Sequence, residues 1–287
     1  MCKVVQGIGN KIGEGGCAEV FEWEDGSKII KLAKPNTISA ALQAELHHCQ
    51  TAWACRLPVP RPYDLVVVEG RSGIVFERIY GDPIIKRFVE RAVEQSRTQQ
   101  PIDIMKDYIE AKITAKLFHQ IHSHAVARMP SQRENIKNDI NRAQYLTDAE
   151  KAAVIAELDG LPIKQQLCHG DPNPGNILVR DNDAVIIDWN NASTGNPEAD
   201  LAEYVIMIRY AILPPHLPSE ATVLLDATRE TCVNLFMEEY EGLSGIRYAD
   251  VEPWILPVAA RKLVADGISE EEKRLLINEI RRRLHIC

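Results

Sequence analysis

The stretch Leu167-Cys168-His169-Gly170-Asp171-Pro172-Asn173-Pro174-Gly175-Asn176 runs into Ile177-Leu178-Val179 and, a little later, Val185-Ile186-Ile187-Asp188-Trp189. It gathers a carboxylate, an amide and a second carboxylate around one short hairpin. Asp171 and Asn176 are five residues apart, and Asn176 and Asp188 twelve. Phosphoryl transfer from a nucleotide needs that set: a base or orienter for an acceptor hydroxyl, and two oxygen ligands for Mg²⁺. Taken singly, Asp171 reads as a turn aspartate before Pro172. Apolar flanks instead put the polar residues at a mouth between buried strands. An aspartate directly after Val185-Ile186-Ile187 is costly unless it is paired or metal-bound. Asp171 is therefore the candidate base or orienter, and Asn176 and Asp188 the candidate metal ligands. His169 reads as a hydrogen-bonded scaffold residue. Asp200 is either a buried carboxylate bracing this loop or a first-turn aspartate on a helix dipole.

Four earlier features suit the same chemistry. Gly13, Gly15 and Gly16 open a G-x-G-x-x-x-x-V pattern ending at Val20. It is either a turn needing positive φ or a loop whose N–H groups approach phosphates. Lys31 closes Lys28-Ile29-Ile30-Lys31, and its ammonium suits α- and β-phosphates. Lys28 lies on the opposite strand face, so only one of the two points inward, and Lys31 is favoured. Glu45, on a helical pattern, is a carboxylate able to hold that ammonium, or else an ordinary exposed glutamate. Backbone groups of Glu77 and Ile79, ending a strand, are placed to hydrogen-bond an adenine edge.

These residues must sit on elements the sequence also marks. Residues 11–23 read as strand, Gly-rich turn and strand, followed by an Asp-Gly turn and a strand over 28–32. A helix is expected near 37–54, with Leu42 and Leu46 at helical spacing. Two strands flank Gly70-Arg71-Ser72. After Gly81-Asp82-Pro83 the pattern turns helical, and Met105, Tyr108, Ile109, Ile113, Leu117 and Ile121 hold one face of a long helix. Thr147 with Glu150 forms a capping box, and Ser269 with Glu272 caps the last helix. Asn196 then Pro197 reads as an N-cap followed by Pro at the first helical position. Strands at 177–179 and 184–187 join through Asp181-Asn182-Asp183.

The chain has 287 residues, a net charge of −8 and no internal repeat. That charge disfavours nucleic acid as a partner, since its binders carry a basic stripe. No apolar run approaches a membrane span, and the N-terminus lacks a signal-peptide core. Seven scattered cysteines with no CxxC pair read as reduced thiols of a cytoplasmic protein. His119, His122 and His124 read as surface or half-buried residues, because no Cys or carboxylate completes a zinc site at familiar spacing.

Taken in order, these pieces resemble the aminoglycoside phosphotransferase and choline kinase family of the protein-kinase-like superfamily. His169-Gly170-Asp171 through Asn176, Ile187-Asp188-Trp189 and Asn196-Pro197 with Asp200-Leu201-Ala202 carry the resemblance. It implies an α+β, bilobal protein-kinase-like fold. Residues 1–80 would form a small antiparallel β-sheet lobe with one helix that binds nucleotide. Residues 81–287 would form a larger, mainly helical lobe with the catalytic loop and acceptor site. It further implies ATP or GTP with Mg²⁺ as cofactors, and a small-molecule hydroxyl acceptor such as an aminoglycoside-like antibiotic, an amino-alcohol or a sugar. Asn173 departs from the family pattern, where a histidine is common. A protein kinase is disfavoured: eleven residues lie between Asp188 and Asp200, no Ala-Pro-Glu follows, and Asp188-Trp189-Asn190 replaces Asp-Phe-Gly. The remaining alternative is a nucleotide-binding regulator without turnover.

Overall fold

A computed structural model describes residues 7–98, 108–180, 183–213, 217–265 and 267–285. The chain divides into two compact units, Met1–Gly81 with Leu178–Ala192, and Asp82–Ile177 with Ser193–Cys287. The division does not follow chain order, because the strands after the Asp171 loop group with the N-terminal part.

The first unit is built on an antiparallel sheet in the order β1-β2-β3-β5-β4. Its strands are β1 (Ile8–Glu14), β2 (Ala18–Trp23), β3 (Lys28–Ala33), β4 (Pro62–Val68) and β5 (Arg71–Glu77). Alternation along β3 buries Ile30 and Leu32 with Trp23, Val68 and Val75, and turns Lys31 to the other face. The β4–β5 turn is tighter than the sequence suggests. Glu69 and Gly70 both take positive φ, 50° and 79°, so two residues suffice in a primed turn and Arg71 already pairs with Val68. Between β3 and β4 runs α1 (Ser39–Ala54), whose buried face carries Leu42, Cys49 and Ala52 and also two polar residues, Glu45 and His48.

The second unit is mainly helical. It opens with the two-residue β6 (Asp82–Pro83), then α2 (Ile84–Thr98), α3 (Ile109–His122), α4 (Gln132–Arg142) and α5 (Asp148–Gly160). Met105 lies outside the described residues. Ile109 is exposed rather than on the α3 core face, which runs through Ala111, Ala115, Phe118 and Ile121. The Thr147–Glu150 capping box forms as the sequence predicts. Next, β7 (Gln166–Cys168) leads into the Asp171 loop and a 3-10 turn, Pro174–Asn176. The chain then rejoins the first unit as β8 (Ile177–Arg180) and β9 (Asp183–Ile186), and in the second unit β10 (Ser193–Gly195) pairs antiparallel with β7. Asp181 and Asn182 of the expected turn lie outside the described residues. The last helices are α6 (Pro197–Tyr210), α7 (Ser219–Ser244), α8 (Tyr248–Val251), α9 (Ile255–Lys262) and α10 (Glu270–Arg283). Ser269 caps α10 by accepting from the Glu272 N–H. Tyr204 of α6 stacks on Phe236 of α7 with ring centroids 3.9 Å apart. Among the described residues no helix is long and apolar enough to cross a membrane.

Asn196 precedes α6 but does not cap it with its side chain. Its Oδ1 accepts from the Lys164 N–H at 3.1 Å, and its backbone N–H donates to Gln132 Oε1 at 2.8 Å. The Asn-Pro pair thus marks the right boundary while its amide serves a long-range bond. Gln132 lies so close to Gly195 that any Cβ there would overlap its side chain. Gly195→Ala is therefore expected to cost about 1–3 kcal/mol of stability, the usual penalty of overpacking. Urea unfolding of the variant beside the wild type measures it.

Candidate active site

In the first unit, Lys31 Nζ donates to Glu45 Oε1 at 2.6 Å and to Asp188 Oδ1 at 2.8 Å. Sequence reasoning left Lys28 as the alternative. Lys28 instead pairs with Glu24 and sits over the Tyr63 ring. Glu45 is 2% exposed, so it is not an ordinary surface glutamate. Burial works against the Lys31 charge, but Glu45 and Asp188 outweigh it and raise the ammonium above its usual range. Burial, opposed by Lys31, pushes the Glu45 carboxyl up. Two carboxylates face one ammonium, and Asp188 keeps 40% of its side chain exposed. The excess negative charge and the oxygen donor suit a hard cation such as Mg²⁺.

Asp188 adopts φ of 66°, a left-handed conformation that Asp tolerates better than most residues. Two bonds hold the turn. Asn190 Nδ2 donates to Asp188 Oδ1 at 2.6 Å, and His48 Nδ1 lies 2.9 Å from the Trp189 carbonyl. A carbonyl only accepts, so His48 carries its proton on Nδ1. Burial lowers the His48 pKa and keeps the ring neutral. Glu45 and His48 are three residues apart on α1, so one helix face fixes both the lysine and the Asp188 turn. Sequence reasoning missed His48; its only signal is a polar residue on the buried stripe.

The three loop glycines are not held by conformation. None of Gly13, Gly15 and Gly16 has positive φ, which removes the reading as a turn that requires it. A Cβ on Gly16 would meet nothing. The Gly15 N–H closes the turn on the Ala18 carbonyl at 2.9 Å. Glu77 pairs with Lys28 across the sheet, and its N–H donates to the Arg61 carbonyl at 2.9 Å. Ile79 lies two residues beyond it, half-buried.

In the second unit, Asn176 Nδ2 donates to Asp171 Oδ2 at 2.9 Å. The amide proton orients the carboxylate and directs the Asn176 oxygen elsewhere. Asn173 accepts from the Gly175 N–H at 2.8 Å and opens the 3-10 turn that presents Asn176. Behind the loop, Asp200 is 1% exposed. It accepts from the His169 N–H at 2.7 Å and the Gly170 N–H at 3.2 Å, with His122 Nε2 at 3.3 Å and Gln132 Nε2 at 3.4 Å. Both open readings of Asp200 hold, since it sits in the first turn of α6 and braces the loop. Burial opposes its charge, but the His122 ring and the Gly170 N–H outweigh that and keep the carboxyl below its usual range.

His122 departs from the surface or half-buried position expected of it: it is buried, with Nδ1 2.8 Å from the Tyr240 hydroxyl. The fold also brings Cys168 and Asp200, remote in sequence, to within 4.8 Å of its ring. Asp200 and His122 already spend their atoms on each other and on the loop, and burial keeps the Cys168 thiol protonated. This cluster is a brace rather than a metal centre. Spacing alone gave no signal for it.

Two outcomes follow from these contacts. Lys31→Met strands two carboxylates and is expected to cost about 2–3 kcal/mol, below the figure for a fully buried pair because Asp188 is partly solvated. Adding Glu45→Gln should recover part of that loss, a coupling that a double-mutant cycle in urea reads directly. Asp200 has a depressed folded pKa, so its stabilisation is complete above the ordinary carboxylate range, about pH 4, and fades as pH falls through its folded value. The stability gap between wild type and Asp200→Asn should accordingly narrow below about pH 4.

Over residues 18–228 the sequence matches the APH phosphotransferase enzyme family. No curated protein sequence matches the chain significantly. Among solved structures, a thermostable mutant of aminoglycoside phosphotransferase APH(4)-Ia in its apo form is similar, with a TM-score of 0.62 at 15% identity, covering 97% of this chain and 94% of that one. A ternary complex of another such mutant with ADP and hygromycin B gives 0.62 at 14% identity, over the same 97% and 94%. APH(3'')-Id from Streptomyces rimosus gives 0.52 at 18% identity, over 88% and 92%. At these identities the likeness is one of fold: an antiparallel-sheet N-terminal region and a helical C-terminal part. With the family match spanning most of its length, the chain belongs to the APH phosphotransferase enzyme family.

Proposed function

We propose that this phosphotransferase moves the γ-phosphoryl group of ATP to a hydroxyl of a small acceptor. The observation that carries the proposal is the bridge from Lys31 to both Glu45 and Asp188. It fixes a permanently charged ammonium beside a partly solvated carboxylate, as nucleotide phosphates and their cation require. Asp171, aimed by Asn176, accepts the acceptor's hydroxyl proton as the oxygen attacks the γ-phosphorus in line. The bond to the β-phosphate oxygen breaks and ADP leaves. Lys31 holds the α- and β-phosphates, and the N–H at Gly16, on the apex of the Gly13–Gly15–Gly16 turn, approaches them. By this reading Asn176 and Asp188 would each offer an oxygen to Mg²⁺, which would supply charge neutralisation at the phosphate oxygens.

In an extended segment the carbonyl of residue i and the N–H of residue i+2 share an edge. The Glu77 N–H is spent on Arg61. We therefore assign the Glu77 carbonyl to the adenine amino group and the Ile79 N–H to a ring nitrogen. Guanine would set its own oxygen against the Glu77 carbonyl, which favours ATP over GTP. For the acceptor, the solved neighbour bound to hygromycin B supports an amino-sugar-like compound. An amino-alcohol or a simple sugar presents the same hydroxyl.

The test is transfer from Mg·ATP across a panel of such hydroxyl compounds, read by product mass, with Asp171→Asn alongside. The variant should bind Mg·ATP normally and lose about 10²–10⁴ in kcat, the weight of a general base. Unchanged transfer by Asp171→Asn rejects the assignment of the base. Mg·ATP binding with no product from any acceptor selects a nucleotide-binding regulator instead.

A further inference from the structure

The Asp171 loop is gripped on both sides of one residue. Gly170 takes φ of 75°, and its N–H is held by Asp200. Its carbonyl accepts from Arg261 Nη2 at 3.1 Å. Arg261 comes from α9, beyond the residues matched by the family. Its side chain is 17% exposed. Two carboxylates orient its guanidinium: Glu203 of α6 meets Nη1, and Asp139 of α4 meets Nε at 3.3 Å. Three helices thus aim one planar fork at one backbone oxygen.

The target of that fork matters. The peptide plane holding the Gly170 carbonyl also holds the Asp171 nitrogen, and it is rigid. Glycine resists rotation least of all residues. Without a bond on its carbonyl, the 170–171 plane is free to tilt about Gly170, and tilting carries the Asp171 side chain with it. The Asp200 bonds do not prevent this, because they fix only the N–H groups on the preceding side.

We propose that Arg261 is a positioning residue for phosphoryl transfer, holding the Gly170–Asp171 peptide plane and so the aim of the Asp171 carboxylate. The inference rests on Asp171 being the base proposed above. A guanidinium is needed because its separate N–H groups serve Glu203, Asp139 and the carbonyl together. A lysine keeps the charge but not the three directions.

The experiment compares wild type, Arg261→Lys and Arg261→Gln in three measurements. Hydrogen exchange followed by mass spectrometry reads the peptide spanning 166–176 in the free protein. Turnover of Mg·ATP with water as acceptor gives kcat and KM. Thermal unfolding gives the midpoint. We expect exchange over 169–176 to rise about tenfold in both variants, and kcat to fall about 10–10²-fold, as for a misplaced catalytic group. KM for Mg·ATP should stay within about twofold, and Arg261→Lys should keep the wild-type midpoint. Unchanged exchange and kcat in Arg261→Lys overturn the proposal. So does a kcat loss only in step with a lowered midpoint and a raised KM, which marks a merely structural residue. If Arg261→Gln does not fold, Arg261→Lys decides alone. Asp171→Asn separates the two readings. If it leaves turnover intact, the base assignment fails, while the exchange data still report whether Arg261 holds this peptide.

Discussion

The carboxylate of Asp200 is the constraint on which the second unit is organised. A buried charge is tolerable only where enough donors meet it. Here the donors are the backbone of the loop that carries Asp171, together with His122 and Gln132. The loop therefore cannot relax without stranding the charge, and the charge cannot be lost without freeing two buried N–H groups. Each donor recruits further structure: Tyr240 behind His122, and Asn196 and Gly195 around Gln132. Elements far apart in the chain are drawn to one point by hydrogen-bond satisfaction as well as by apolar packing.

The first unit solves a similar problem with one helix. Glu45 and His48 both stand on the buried stripe of α1, where apolar residues would pack more cheaply. Glu45 takes the lysine of β3, and His48 takes the carbonyl next to Asp188. Their separation along the helix sets the spacing of what they hold. Rotating α1 would disturb the ammonium and the aspartate turn together, so the two stay in register.

Much of this was legible in the sequence because it is local. The Asp171–Asn176 spacing, the period-2 pattern that separates Lys31 from Lys28, and the Thr147 and Ser269 caps are all properties of short windows. So was the order of β-rich and helical parts. Long-range bonds were not legible. Asn196 looks like a cap by every local rule, yet its amide is claimed by Lys164, 32 residues earlier. His122 lies in a cluster of histidines that resembles a solvated helix end, and only the folded chain shows Tyr240 and Asp200 on its two nitrogens. Arg261 sits between Ala260 and Lys262 with no motif around it, so its hold on Gly170 has no sequence signature. The hairpin at Glu69-Gly70 failed differently: a glutamate took a conformation usually left to Gly or Asn, and the turn tightened.

The left-handed backbone at Asp188 also narrows the sequences that can drift through this position. Glycine would relax the backbone but bring no oxygen. Asparagine would tolerate the conformation but carry no charge for Lys31. Glutamate would restore the charge yet fits the left-handed region less readily and places its oxygens one bond further out. Each single step away forfeits either the geometry or the electrostatics, and no neighbouring residue type offers both. A lineage that leaves aspartate here gives up either the second carboxylate on Lys31 or the turn that presents it.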